Sequence, residues 1–145
     1  MRGDRIIVGE CRGREALDML QALNTGHSGS LSTGHANSTV DALSRLEVMV
    51  ATAGEKLPIE AIRGQIASGI DVMVHLVRMR DKSRKVYEIS EVEGCYDGKV
   101  VLNRLYEFRE TGIEDEKVSG RWEKVGDMIH TEKLKMSGIS LITEL

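Results

Sequence analysis

The sequence predicts a mixed α/β fold in which short parallel strands and helices are followed by an antiparallel β-meander. A short apolar run at residues 5–8 precedes a segment whose leucines recur at helical spacing. From residue 72 onward, apolar residues instead alternate with other residues at every second position, which indicates strands. The Asp97-Gly98 pair between two of these runs is typical of a tight hairpin turn.

The α/β half is predicted to begin with a buried strand at residues 5–8 and a helix over residues 13–24. Leu17, Leu20 and Leu23 recur at helical spacing in this segment, and Gly26 suits a left-handed position at the end of the helix. Residues 30–33 form a short uncharged run flanked by glycine, which predicts a central strand.

Two more helices are predicted to complete this half. Ser38, with Asp41 three residues later, is close to a capping box, and the helix that it starts runs to about residue 54. Pro58 suits the first turn of the third helix, in which Ile62 and Ile66 lie one turn apart.

The remaining chain predicts a meander of about three strands, with the last over residues 100–108. Residues 111–119 are acidic and poorly patterned, so a loop is predicted there. A short strand at residues 121–125 and a helix at residues 129–136 are expected to follow.

Length and composition limit the classes of function. The 145 residues predict one domain, and a net charge of −3 favours neither a nucleic acid nor an anionic membrane as partner. Cys11 and Cys95 lie far apart, which predicts a reducing compartment, and the spacing of Cys11, His27 and His35 matches no common zinc site. No signal peptide is visible, and no apolar run approaches the ~18 residues of a membrane span.

Gly9 and Glu10 directly follow the first predicted strand. Ligands of α/β sheets bind at the carboxyl ends of the strands, so Glu10 is expected at a binding edge. A glutamate there can hold or polarise a water near a nucleotide phosphate, and the alternative is an ordinary polar residue at a strand end. No G-x-x-x-x-G-K-[ST] phosphate loop occurs in the sequence, so only half of a nucleotide site is visible.

Two histidines, His27 and His35, flank the second predicted strand, and each follows a Thr-Gly pair. An imidazole can exchange a hydrogen bond with a phosphate or with an attacking water, which makes both residues candidates for nucleotide coupling. Hydrogen-bonded structural histidines are the alternative. Arg12 is either a functional contact beside Glu10 or a solvated charge.

These patterns together resemble the type II/IV secretion-system ATPases, in the branch that assembles Tad (Flp) pili and is called CpaF-like. The resemblance rests on the strings DRIIVGECRG (residues 4–13), EALDMLQALNTGH (15–27), GSLSTGHANS (29–38), DALSRLE (41–47) and AIRGQIAS (61–68). It is strong over residues 4–80 and weaker to about residue 110.

The resemblance implies the C-terminal part of a RecA-like P-loop ATPase domain, followed by the meander. On this resemblance, residues 1–110 are a truncated motor domain, namely the half that contains the Walker B strand and the histidine box. Residues 111–145 are a poorly patterned tail. Gly9 and Glu10 would end the Walker B strand, and Glu10 would activate the hydrolytic water.

The resemblance also implies roles for the neighbouring residues. His27 and His35 would belong to a histidine box that couples the γ-phosphate to nearby segments, and Arg12 would make a conformational or inter-subunit contact. The resemblance thereby assigns catalysis to Glu10, His27 and His35. It assigns the binding of ATP with Mg²⁺ in the complete protein to Gly9, Glu10, Arg12 and His35.

Members of the family form hexameric rings at the cytoplasmic face of the inner membrane and drive pilin assembly with Mg-ATP. The resemblance therefore implies other ATPase subunits and inner-membrane platform proteins as partners, and a cytoplasmic, membrane-peripheral location. Without a phosphate loop, this chain is expected to be an inactive fragment of such a motor when alone. The alternative is a non-enzymatic module that docks on a platform protein or on a full-length ATPase.

Two features leave further alternatives open. Trp122, the only tryptophan, either anchors the tail on the body of the protein or meets a partner. A basic cluster surrounds a predicted hairpin turn, either as exposed turn charges or as a contact with another subunit or an acidic partner. Its members are Arg78, Arg80, Lys82, Arg84 and Lys85.

Overall fold

The computed structural model of the chain describes residues 5–27, 29–54 and 56–139. In chain order its elements are β1 (Ile7–Val8), α1 (Glu15–Asn24), β2 (Leu31–Ser32), α2 (Thr39–Ala51), α3 (Ile59–Gly69), β3 (Val72–Arg78), β4 (Arg84–Tyr96), β5 (Lys99–Glu114), β6 (Lys117–Lys124) and α4 (Glu132–Met136). Strands β1 and β2 pair in parallel, and the others form an antiparallel sheet in the order β3-β4-β5-β6. The predicted α/β half followed by an antiparallel meander is confirmed.

Helices α1, α2 and α3 pack on one another around the main hydrophobic core. Their buried residues recur at helical spacing, so each helix presents one apolar stripe to the others. Met73, Val100 and Leu102 of the meander pack against the same core, which therefore spans both halves of the chain. The buried helical residues include Ala16, Leu17, Leu20, Leu43, Leu46, Val50, Ile62 and Ile66.

The ends of the first two helices follow their local sequence. Ser38 Oγ accepts a hydrogen bond from the Asp41 N–H at 3.0 Å, which confirms the predicted cap of α2. Gly26, beyond the end of α1, has a φ of 92°, a left-handed conformation that favours glycine. At the start of α1, Glu15 accepts the N–H groups of Arg12 and Gly13 at 2.6 and 3.1 Å.

Strands β1 and β2 differ from the prediction in their burial. Ile7 and its cross-strand partner Leu31 are 76% and 65% exposed, and only Val8 packs against the core. Successive residues of a strand point to opposite faces, so a sheet covered on one face buries every second side chain. The strands predicted at residues 5–8 and 30–33 are therefore present, but their predicted buried and central placement is wrong: among the described residues, both are edges of a two-stranded sheet.

The loop predicted over residues 111–119 is also wrong, and the meander has four strands rather than three. Asp115 and Glu116 form a two-residue turn between β5 and β6, with φ angles of 48° and 62°. Both residues of the confirmed Asp97-Gly98 turn also have positive φ. There the glycine predicts the turn, whereas the second turn contains no glycine. A register shift between Glu110 and Gly112 further obscures the alternation of β5.

The predicted strand at residues 121–125 is therefore the end of a longer strand, β6, and the helix predicted at residues 129–136 is the shorter α4. Both lie in the segment that the sequence predicts as a poorly patterned tail, of which residues 140–145 lie outside the described residues. The division of the chain into units at residue 110 stays a prediction.

Glu88 of β4 joins the meander to the start of α2. Its Oε1 accepts hydrogen bonds from Thr39 Oγ1 at 2.8 Å and Ser90 Oγ at 2.6 Å, and Arg104 Nη2 lies 3.3 Å from its Oε2. Burial by itself raises the pKa of the Glu88 carboxyl, but the two hydroxyl donors and the arginine together lower it below its ordinary value. The buried carboxylate is therefore fully paired and stays ionised.

Arg63 of α3 makes a second junction. Its guanidinium binds both carboxylate oxygens of Glu47 on α2, with N–O distances of 2.9 and 3.0 Å, and donates to the Gly98 carbonyl at 2.7 Å. One side chain thus ties two helices to the β4–β5 turn. Such bidentate pairs are geometrically specific as well as charged.

Glu91 holds the segment that follows β6 against the sheet. Its buried carboxylate accepts the N–H groups of Ile129 and His130 at 2.8 and 2.7 Å, and the side-chain amide of Asn103 at 3.2 Å. Burial opposes ionisation of Glu91, but these donors lower its pKa overall. No helix in the described ranges is long and apolar enough to cross a membrane.

Asp81 fastens the β3–β4 turn to the start of β6. Its Oδ1 accepts from the hydroxyl and N–H of Ser83 at 2.7 and 3.0 Å, and its Oδ2 accepts from the Val118 N–H at 2.8 Å. These donors lower the pKa of the Asp81 carboxyl from 3.8 to about 2.

We expect Asp81 to stabilise the fold fully above pH ~4 and to lose that contribution as the pH falls toward about 2. The sign follows because the carboxyl binds its proton more weakly in the folded state than in the unfolded state. Urea titrations of the wild type and Asp81→Asn should differ above this window and converge at its lower end. Ser83→Ala, which removes one donor, should move the wild-type transition to higher pH, and a difference that stayed constant to the lowest pH would contradict the assignment.

Candidate functional site

The carboxyl ends of β1 and β2 meet at one edge of the α/β half. Gly9 and Glu10 follow β1, and Thr33 and His35 follow β2. The Thr33 hydroxyl donates to the Gly9 carbonyl at 2.5 Å, and the Thr33 carbonyl accepts the N–H of Cys11 at 2.8 Å. Parallel strands end at a common edge, and the predicted position of Glu10 there is confirmed.

Glu10, Arg12 and His35 form a cluster at this edge. Arg12 Nη2 lies 2.6 Å from Glu10 Oε2, and His35 Nε2 lies 3.1 Å from Glu10 Oε1. His35 Nε2 is close to this oxygen without an aligned hydrogen bond, because the buried Oε1 accepts none from any described residue. The Arg12 and His35 side chains are exposed, whereas that of Glu10 is only 26% exposed.

The electrostatics of the cluster keep Glu10 ionised. The hydrogen bond from Arg12 is the main cause of a pKa below the ordinary value for a glutamate, and it outweighs the opposing effect of burial. Positive charge from His35, when protonated, and from Arg45 acts in the same direction. The cluster therefore presents a carboxylate with one oxygen held by an arginine and the other able to accept a hydrogen bond.

His27 lies apart from this cluster. It precedes β2, so it is at the amino end of a strand whose carboxyl end carries His35. Its carbonyl accepts a hydrogen bond from Ser30 Oγ at 2.7 Å, and its buried Nδ1 has no hydrogen-bond partner in the described part of the chain. The structure thus brings together Gly9, Glu10, Arg12 and His35, and it does not bring His27 to them.

Arg45, which the sequence analysis did not single out, adds a smaller positive charge to the surroundings of Glu10. It lies on α2 and acts on Glu10 through its charge rather than through a hydrogen bond. No local motif indicates it, because α1 and β2 separate α2 from Glu10 along the chain. Within residues 5–27, 29–54 and 56–139, no group of three or more histidine, cysteine or acidic residues is arranged to hold a metal ion.

These observations define an α/β protein with a carboxylate, an arginine and a histidine at the carboxyl edge of a βαβ unit, where proteins of this class bind ligands. The family model described as "Type II/IV secretion system protein" matches residues 1–142. The chain belongs to this family.

Individual relatives agree with this assignment. The putative conjugal transfer protein Rv3659c of Mycobacterium tuberculosis is 43% identical over 90 residues, which are 62% of this chain and 25% of that protein. The type IV secretion system protein PtlH of Bordetella pertussis is 40% identical over 93 residues, or 61% of this chain and 27% of that protein. The chain thus spans about a quarter of the length of these relatives.

A solved structure is also similar. The crystal structure of the VirB11 ATPase from the Brucella suis type IV secretion system, in complex with sulphate, matches with a TM-score of 0.58 and 35% sequence identity. The match covers 63% of this chain and 28% of the VirB11 chain.

Proposed function

We propose that the chain forms the water-orienting part of an ATP-hydrolysing motor domain, with Glu10 as the residue that activates the attacking water. The cluster of Glu10, Arg12 and His35 at the carboxyl edge of β1 and β2 carries the proposal. The similarity to the VirB11 ATPase supports it, because that protein is an ATPase of a secretion system.

The geometry of Glu10 suits this role. Its buried Oε1 accepts no hydrogen bond from the described residues, so once a movement of the exposed His35 side chain opens it to solvent it can accept one from a water and take up the proton that the water loses. Arg12 holds the other oxygen and keeps the carboxylate ionised. His35 is exposed beside the same Oε1, where its Nε2 can reach a phosphate oxygen or the water. Mg-ATP would supply the phosphoryl group that the water attacks.

The phosphate-binding side of such a site needs further residues. Backbone amides of a phosphate loop and a hydroxyl that binds Mg²⁺ normally provide it, and the sequence contains no such loop. We therefore propose that this chain alone binds Mg-ATP weakly and does not hydrolyse it.

At a finer level, we propose that the complete motor serves Tad (Flp) pilus assembly, as a cytoplasmic hexamer at the inner membrane that acts on platform proteins. The strings around Glu10 and His35 support the Tad branch, whereas the relatives named above belong to conjugal transfer and type IV secretion. His27 is proposed to belong to the histidine box as a coupling residue that does not touch the nucleotide, because it lies at the amino end of β2.

We expect Mg-ATP to bind this chain with a dissociation constant of ~1 mM or weaker. In a ¹⁵N-labelled sample, amide shifts on titration should be confined to the segments around Glu10 and His35, with none in the meander. Glu10→Gln should change those shifts, and Mg²⁺ alone and ADP are the controls for metal and for the γ-phosphate. No ATP turnover is expected from either chain.

Two results would contradict the proposal. Shifts outside the β1–β2 edge would place the nucleotide elsewhere, and turnover that survives Glu10→Gln would remove Glu10 from the chemistry. An absence of shifts at nucleotide concentrations well above ~1 mM would favour the non-enzymatic docking module.

A further inference from the structure

The outer face of the meander is apolar and exposed. Val74 pairs with Ile89, Ile89 with Tyr106, and Leu76 with Val86, and residues opposite each other in antiparallel strands project from the same face. Val74, Leu76 and Tyr106 are 51%, 60% and 40% exposed. Exposed apolar surface of this kind marks an interaction site when it is contiguous.

Trp122 of β6 borders a groove on this face. Its indole N–H donates to the Val86 carbonyl at 2.8 Å, and its ring packs edge-on against Phe108 with 5.6 Å between centroids. The groove has a volume of about 270 Å³ and is lined by Val86, Ile89, Tyr106 and Trp122; we call it the outer groove. Trp122 is half exposed there, so it is anchored on the sheet and still available to a partner.

Two arginines lie at one end of the same face. Arg78 and Arg84 are directly opposite each other on β3 and β4, an arrangement of like charges that destabilises a sheet. Neither forms an ion pair with a described residue, and we call them the arginine pair. Four other arginines near or within this sheet do pair with carboxylates: Arg80, Arg104, Arg109 and Arg121.

The chain carries an acidic counterpart at the β5–β6 turn. Glu114, Asp115 and Glu116 are exposed and form no ion pair within the described ranges, and we call them the acidic tip. Ile113 beside them is 60% exposed. The bond from the Val118 N–H to Asp81 holds the start of β6 against the β3–β4 turn, so the acidic tip and the arginine pair lie at the same end of the sheet.

We propose that this face is an interface between two copies of the chain, in which the acidic tip of each copy meets the arginine pair of the other and the two outer grooves cover each other. We choose a second copy of the chain as the partner because the acidic tip and the arginine pair are complementary in charge and lie side by side on one surface. A two-fold arrangement then satisfies both contacts at once. The proposal concerns a face away from Glu10 and does not depend on the nucleotide role.

The test is a concentration series in sedimentation velocity on the 145-residue chain. The wild type should form a reversible dimer that weakens as salt is raised, with a blue shift of Trp122 fluorescence on association. Arg78→Glu with Arg84→Glu should be monomeric, and so should Glu114→Lys with Glu116→Lys. Mixing these two variants should restore the dimer, because both contacts again join opposite charges, and restoration also shows that both variants are folded.

The matched control is Lys99→Glu with Lys135→Glu, which changes the net charge as much as the arginine reversal but at exposed positions away from this end of the sheet. It should leave the dimer intact. A wild type that stays monomeric, or a dimer that survives both charge variants, would overturn the proposal. Dimer loss in the single variants without restoration on mixing would also overturn it and would favour an acidic segment of another protein as the occupant.

Discussion

Replacing Gly120 with alanine is expected to lower the free energy of unfolding by about 3 kcal/mol. A Cβ atom at this position in β6 would overlap the carbonyl oxygen of Arg109 and lie 2.5 Å from Cζ of Phe108. The Arg109 oxygen belongs to the backbone of β5, and Phe108 is buried, so neither can move without disturbing the β5–β6 ladder. The steric strain would therefore distort the pairing of β5 with β6.

Chemical denaturation of Gly120→Ala beside Gly64→Ala checks this expectation. A Cβ at Gly64 has no neighbouring atom within 4 Å, and the residue is exposed in the middle of α3. Alanine there should stabilise the protein by about 0.5–1 kcal/mol, because it restricts the unfolded chain and favours the helix. A neutral Gly120→Ala would show that β5 and β6 can separate locally at low cost.

Replacing Ile66 with alanine should lower the free energy of unfolding by about 2–5 kcal/mol. Ile66 is fully buried on α3, at the point where this helix meets α1 and α2. Truncation removes three carbon atoms from the shared core and leaves a cavity that the surrounding helices and sheet can fill only in part.

The control for Ile66 is the same substitution at Ile59, the residue directly after Pro58. Ile59 begins α3 and is 37% exposed, so Ile59→Ala should lower the free energy of unfolding by about 1 kcal/mol or less. Thermal or urea unfolding of the two variants separates the loss of core packing from the gain in helix propensity that alanine brings, since the change in side chain is identical. Equal effects would show that Ile66 does not lie in the common core.

The parts of the fold that the sequence predicts well are those with local causes. Ser38 caps α2 through a hydroxyl three residues from its donor, and the apolar stripes of the three helices follow from their spacing. The position of Glu10 follows from a strand immediately before it, and that of His35 from the next strand. A residue that directly follows a strand takes its position from that strand. Most of the candidate site could therefore be predicted.

The parts that were missed have non-local causes. The second hairpin turn could not be predicted, because Glu116 has a positive φ and a glutamate at such a position gives no sequence signal. Arg45 adds to the charge environment of Glu10 from α2, which α1 and β2 separate from Glu10 along the chain. Ile7 is exposed because burial depends on how many elements cover a sheet, a property that the strand pattern alone does not contain.

Glu88 and Arg63 also determine how the folded chain opens. Lifting α2 from β4 would deprive the buried Glu88 carboxylate of the Thr39 hydroxyl, and lifting the β4–β5 turn would deprive Arg63 of the Gly98 carbonyl. Partial opening at either place therefore costs a hydrogen bond that joins the two halves. We expect the protected amides of the helical half and of the meander to exchange together, and a substitution that weakens one half to lower the protection of the other.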